Sequence, residues 1–173
     1  MVIGNRPISR GYTLIEIIAV VAILGILSLI AIPQFGPNDD QKIASAAREI
    51  TADLLYAQSQ AIATGKTHYV VFDSADGYRI MDSMIPPHPI PHPASGLPYE
   101  IHFTVGPLRG VTVTNIDFNG AGTLAFDPTG MPCSISPETG SLSPLVRGSA
   151  ALKVGQSTLT LTIEPLTGAV NIH

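Results

Sequence analysis

Arg10-Gly11-Tyr12-Thr13-Leu14-Ile15-Glu16 runs without a break into an apolar block that ends at Ile32. Tyr12 to Ile32 is 21 residues, 17 of them apolar, and 13 are Leu, Ile or Val. As a helix the block would measure about 31 Å, the thickness of a bilayer core. At about −0.3 to −0.6 kcal/mol each, its branched residues favour insertion by about 6 kcal/mol. Its one charge, Glu16, opposes insertion by about 3 kcal/mol, so insertion is expected to win. The remainder of the 173-residue chain has an ordinary soluble composition. The mean hydropathy of +0.32 therefore comes largely from this segment, and a polytopic membrane protein is excluded.

Flanking charges set the orientation. Arg6 and Arg10 precede the block, whereas Asp39 and Asp40 are the first charges after it. The positive-inside rule puts residues 1–11 in the cytoplasm and the chain beyond Pro33 outside it. A secretory signal peptide would have a shorter apolar run and a small-x-small cleavage site. This run ends in Ile32-Pro33-Gln34-Phe35. An ordinary signal anchor would fit the run but leaves a costly carboxylate at Glu16 without a reason. The net charge of −4 and pI of about 5.6 argue against a generally basic nucleic-acid binder. A single cysteine, Cys133, excludes an internal disulfide and a multi-cysteine metal site.

The string from Arg10 to Glu16, followed by the apolar helix, resembles a type IV prepilin. The resemblance implies cleavage by prepilin peptidase between Gly11 and Tyr12, then N-methylation of Tyr12, where most of the family has Phe. The mature chain would lose residues 1–11, Arg6 and Arg10 among them, leaving 162 residues with seven basic and thirteen acidic side chains. It would also gain a terminal amine. In such proteins the carboxylate matching Glu16 is held to attract the amine of a neighbouring subunit during assembly; opposite charges attract strongly in low dielectric and are costly alone. Gly25 and Pro33 match positions where the helix of pilin-like proteins can kink. A helix that simply ends at Ile32 fits these residues equally well, since Pro removes a backbone hydrogen bond.

Beyond the block, Ile43, Ala47, Ile50, Leu54, Ala57 and Ala61 recur at steps of 3 and 4. That spacing predicts an amphipathic helix over Gln41–Thr64, capped by Asp39 or Asp40 and stopped by Gly65. Arg48, Glu49, Asp53, Gln58 and Gln60 fall on its other faces. After Gly65 the pattern turns to β. Strands are expected at Thr67–Phe72, Tyr78–Met81, Glu100–Val105, Val111–Asp117, Thr123–Phe126, Leu152–Val154, Ser157–Glu164 and Ala169–Ile172. The short Gly/Pro-marked connections predict antiparallel pairing. The fold class expected is thus α+β and pilin-like. A long N-terminal helix, membrane-spanning in its first half and amphipathic in its second, packs on antiparallel sheets. The organisation is a leader 1–11, a span 12–33, an amphipathic helix 34–65 and a β-rich head 66–173.

Ala52 to Ile62 with Gly65 and Tyr69-Val70-Val71-Phe72-Asp73, together with Phe126-Asp127-Pro128-Thr129-Gly130-Met131-Pro132 and Ile163-Glu164-Pro165-Leu166-Thr167-Gly168, resemble the GspH/FimT-like minor pseudopilins. Gln58 stands where Arg is common in that family. The resemblance implies a non-enzymatic, single-pass subunit of the bacterial inner membrane with a periplasmic head, assembled into a periplasmic filament. It implies a place at the tip of a type II secretion pseudopilus, working in protein export. The implied partners are other pilin-like subunits, prepilin peptidase, the inner membrane and secreted proteins. A minor pilin of a type IV pilus is the alternative, and a DNA-uptake receptor a more distant one. DNA-binding relatives carry Gly-Arg-x-Arg near the C-terminus, whereas this chain has Gly168-Ala169-Val170-Asn171. Major pilins have a C-terminal disulfide pair and major pseudopilins an acidic calcium loop, and the tail here has neither.

Five prolines in Ile85–Pro93 predict a stiff, exposed polyproline II loop within 83–99. His88 and His92 would lie about 12 Å apart in that conformation, too far to share an ion. No metal or cofactor is expected. Cys133 is expected in a loop as a buried, inert thiol. His68, His102 and His173 are read as ordinary strand residues, and no catalytic set stands out.

Overall fold

The structure, a computed structural model, describes residues 12–31, 39–73, 77–136 and 139–173. The chain forms two compact units, Met1–Pro37 and Asn38–His173. The first contains α1 (Leu14–Ala31), 18 residues of which Glu16 and Ser28 are the polar ones. Among the described residues no helix is long and apolar enough to cross a membrane. The expected leader 1–11 and the segment around Pro33 lie outside the described residues.

The second unit opens with α2 (Asp39–Thr64). Asp39 and Asp40 occupy its first turn, where the positive end of the helix dipole favours carboxylates. The Ser157 hydroxyl also donates to Asp40 Oδ1 at 2.5 Å, fastening the helix start to a β-turn. Gly65, in the left-handed conformation, stops the helix as its sequence position suggested. The expected stripe is buried throughout, from Ile43 at 2% exposed to Ala61 at 0%, with Ala46 added. Each large member, such as Ile50 or Leu54, contributes about 1.5–3 kcal/mol by leaving water.

Two antiparallel sheets lie under α2. The larger contains β1 (His68–Asp73), β2 (Gly77–Met84), β3 (Pro87–Pro89), β4 (Glu100–His102), β6 (Thr123–Phe126), β7 (Pro132–Ile135) and β8 (Leu142–Pro144). Its order is β3-β2-β1-β6-β7-β8, with β4 also paired to β2. The smaller runs β11 (Val170–Ile172), β10 (Ser157–Ile163), β9 (Gly148–Val154), β5 (Thr112–Phe118). Every pairing is antiparallel, as the short turns required. Period-two alternation puts His68, Val70 and Phe72 of β1 and Ala150, Leu152 and Val154 of β9 inside. α2 packs on β1 and β6 of one sheet and β9 and β10 of the other, so the core sits between the helix and both sheets. Asn119 ties the two together. Its amide donates to Ser134 Oγ at 2.8 Å and to Pro144 O at 3.0 Å, and its Oδ1 accepts from the N–H groups of Val146 and Arg147.

Three expectations change. The strand expected over Glu100–Val105 stops at His102, because Gly106-Pro107 and Gly110 bend the chain into turns that still bury Phe103 and Leu108. The segment 83–99 is not a free polyproline loop. Pro87 and Pro89 form an edge strand on β2, where a missing N–H costs nothing on the outer side. The return leg is held by Tyr99 N–H to Ile90 O at 2.8 Å and Ile80 N–H to Tyr99 O at 3.1 Å, and Ile90 and Tyr99 are buried. Cys133 lies in strand β7 rather than a loop. It is buried and free, and burial, with the nearby Asp127 charge, raises its thiol pKa.

Candidate functional site

The first unit carries the residues that the sequence singled out. Thr13 is the N-cap of α1: its carbonyl accepts from Glu16 N–H at 3.0 Å, and its hydroxyl accepts from the same N–H at 3.3 Å. Thr-x-x-Glu is half of a capping box, and it places the Glu16 carboxylate in the first turn at the positive end of the helix dipole. Tyr12 is 80% exposed just ahead of it. Around Glu16 the helix is apolar on every face, with Leu14, Ile15, Ile18, Val21, Leu24 and Leu27 all exposed. The Ser28 hydroxyl donates to Leu24 O at 2.7 Å, which satisfies it within the helix. Glu16 is thus the one charged group on a surface that water does not favour. Gly25 lies in the unbroken helix, and a Cβ there would meet nothing within 4 Å. Gly11 and Pro33 fall outside the described residues. Thr13 is the residue that sequence reasoning missed here, although its spacing to Glu16 was legible.

In the second unit, two polar residues assigned to outward faces of α2 turn inward. Asp53 accepts the hydroxyl of Tyr78 at 2.5 Å and that of Tyr99 at 2.8 Å. This clamp fastens β2 and the return leg of the Pro-rich hairpin to α2. Burial first, and then the Asp53 carboxylate, push both phenols well above their ordinary pKa, so they stay protonated donors. Gln58 Nε2 donates to Gly130 O and to Thr167 O, both at 2.8 Å. One amide thereby pins the Phe126–Pro132 and Ile163–Gly168 turns, which lie far apart in sequence. The turns come close because they carry glycine: a Cβ on Gly130 would lie 2.7 Å from Ile62 Cδ1, and one on Gly168 2.8 Å from Gln58 Nε2. Asp127 organises the first turn, its Oδ1 accepting from the N–H groups of Thr129 at 2.8 Å and Met131 at 2.9 Å. Burial acts to raise its pKa, but the Thr129 hydroxyl, donating to Oδ1 at 2.6 Å, and then these backbone bonds outweigh it and hold the carboxyl below its ordinary value.

Asp53 and Gln58 had a signal in the sequence. Each stands three or four residues from stripe members, Asp53 between Ile50 and Ala57, Gln58 between Leu54 and Ala61. A polar residue in register with a buried stripe needs a partner. Gln58→Ala leaves two carbonyls without donors and should cost about 2 kcal/mol. Faster amide exchange confined to residues 127–131 and 164–169 would register it. Glu49, next to Asp53 on α2, has its carboxyl pKa raised, chiefly by burial and then by the Asp53 charge. Ionising it therefore opposes folding. Its stability contribution is complete in acid and is lost as pH rises through the folded-state value. Glu49→Gln should raise Tm at pH 7, and the gain should vanish when melting is repeated near pH 3.

The histidines do not converge. His88 Nδ1 lies 2.7 Å from Asp82 Oδ1, while His92 sits over the Tyr99 ring at 4.6 Å. His102 is 4.0 Å from Glu100, and the backbone of His173 exchanges two hydrogen bonds with Thr160. Among the described residues no group of three metal-ligating side chains occurs.

The prokaryotic N-terminal methylation motif matches residues 6–32, covering the capped helix start and Glu16. The family of the type II transport protein GspH matches residues 46–166, that is 121 of the 173 residues, including Gln58 and the Phe126–Pro132 turn that its amide pins. No protein of curated function matches. Among solved structures, the type IV minor pilin FimU of Pseudomonas aeruginosa (strain PAO1) is similar at 20% identity, covering 78% of this chain and 88% of its own, with a TM-score of 0.45. One family model covers the N-terminal helix and the other, beginning 14 residues after the first ends, most of the head: the chain belongs to the pilin-like family of the type II transport protein GspH.

Proposed function

We propose that this chain is a minor pseudopilin at the tip of a type II secretion pseudopilus, where it takes part in protein export across the outer membrane. The observation that carries the reading is α1. It is a helix apolar on all faces, opened by a Thr13 cap and charged only at Glu16. Such a surface calls for lipid before assembly and for other helices afterwards. In this reading prepilin peptidase cuts between Gly11 and Tyr12, and the new amine of Tyr12 is methylated. Residues 12–33 anchor the chain in the inner membrane with the head in the periplasm, then enter the filament core. The Glu16 carboxylate meets the terminal amine of a neighbouring subunit. Gly25 and Pro33 let the helix loosen as subunits pack. The head supplies lateral and tip contacts, and its part is structural rather than catalytic.

The test is mild cross-linking of native membranes, purification through this chain and identification of what is bound. Secretion pseudopilins among the partners are the expected result. Pilus subunits in their place would overturn the secretion assignment in favour of a minor pilin of a type IV pilus.

A further inference from the structure

His68 is 2% exposed, and it floors a pocket of about 200 Å³ between the last turns of α2 and the Pro-rich hairpin. Its Nδ1 lies 3.2 Å from Lys66 O. A carbonyl only accepts, so Nδ1 carries the proton, and in the neutral ring Nε2 is left with a lone pair. Nε2 makes no hydrogen bond among the described residues. No sealed side-chain nitrogen or oxygen there lacks a partner. Nε2 is therefore not sealed, and it opens on the pocket that the ring lines. A buried acceptor held in one tautomer and aimed into a cavity is a receptor for a hydrogen-bond donor.

The walls narrow the ligand. Lys66 and Asp82, of opposite charge, both line it, so neither an anion nor a cation is singled out. Tyr56 and Ile90 give the pocket apolar flanks, and the Tyr56 ring is fixed by stacking on Tyr99 at 5.5 Å. A neutral group that donates at one end and accepts at the other fits both signs. We propose that this pocket is a socket for the carboxamide of an Asn or Gln side chain from a partner subunit. Its NH₂ donates to His68 Nε2 and its carbonyl accepts on the Lys66 side. The hairpin beside the pocket suits a protein rather than a free solute. Pro91 and its bridged neighbour Pro98 are exposed, Leu97 is 66% exposed, and Ser83 to Tyr99 contains no Asp, Glu, Lys or Arg. An exposed, uncharged hairpin beside the pocket is a surface that a protein partner can cover while its side chain enters the socket. The socket itself stands on the geometry; naming a filament subunit as its occupant rests on the function proposed above.

The experiment takes the full chain in detergent with ¹⁵N-labelled histidine and titrates it with propionamide. The expected result is a saturable shift of the His68 Nε2 resonance with a Kd on the order of 10 mM. Propionate and propylammonium at equal concentration should move it far less. No saturable shift, meaning a pocket that holds water only, would overturn the socket, as would equal shifts from all three probes. A photo-cross-linker placed at Pro91 in cells then addresses the occupant. Cross-links to another filament subunit that drop several-fold in His68→Gln, with the chain still processed and abundant, support it. Cross-links unchanged by that substitution, or to no subunit while propionamide still binds, remove the partner but leave the socket.

Discussion

Gly77→Ala should be the most damaging single substitution in the head, costing on the order of 3–5 kcal/mol. Gly77 opens β2 opposite His102 of β4, at φ +143, a region that L side chains rarely adopt. A Cβ there would lie 1.7 Å from Ile101 O and 2.8 Å from Ile101 C. Both atoms are backbone, so no side chain can swing aside. β4 must detach from β2, and with it goes the anchorage of buried Phe103 and Tyr99. At about 2–4 °C per kcal/mol, melting should fall by roughly 10 °C or more. Gly96→Ala is the control. Gly96 is also left-handed but has nothing within 4 Å of its Cβ, so strain alone should cost about 1 kcal/mol. Thermal melts of the full-length variants decide it, and equal losses for the two would contradict the close approach of β4.

Glu16→Leu should remove the chain from filaments while leaving it in the membrane. Deleting the charge favours insertion by about 3 kcal/mol, so membrane fractionation should be unchanged. Losing an attraction to a neighbour's amine in low dielectric should lower incorporation at least about tenfold, the equivalent of 1.4 kcal/mol. Glu16→Gln separates this role from helix capping. Gln at this position still completes a capping box, so a helix-start role predicts rescue by Gln. Charge pairing predicts that Gln fails as Leu does. Comparing the share of each variant in sheared filaments with its share in membranes reads both outcomes, and normal incorporation of Leu would remove Glu16 from assembly.

The helix stripe from Ile43 to Ala61, the stop at Gly65 and the hairpin from β1 to β2 were legible because each rests on local periodicity or on one turn residue. What escaped depends on distant pairing. β7 and β8 are short and contain Pro132 and Pro144. Their strand character comes from pairing with β6 and with each other, not from composition. The prolines of the 83–99 segment forbid a helix, as expected, but they do not forbid an edge strand, and β2 supplies one. Asp53 and Gln58 read as polar surface because their partners, Tyr78, Tyr99, Gly130 and Thr167, lie 25 to 109 residues away. At the N-terminus the methylation motif over residues 6–32 was legible because it is linear. Thr13 sits within the apolar block, where the hydrophobic run masks the Thr-x-x-Glu capping signal.

The most direct test of the central claim is the N-terminal mass of the chain in the assembled fraction. A processed, filament-forming subunit predicts a peptide that begins at Tyr12 with one methyl group on its amine, with residues 1–11 absent. Filaments containing the chain with its leader intact, from Met1 through Gly11, would contradict the account.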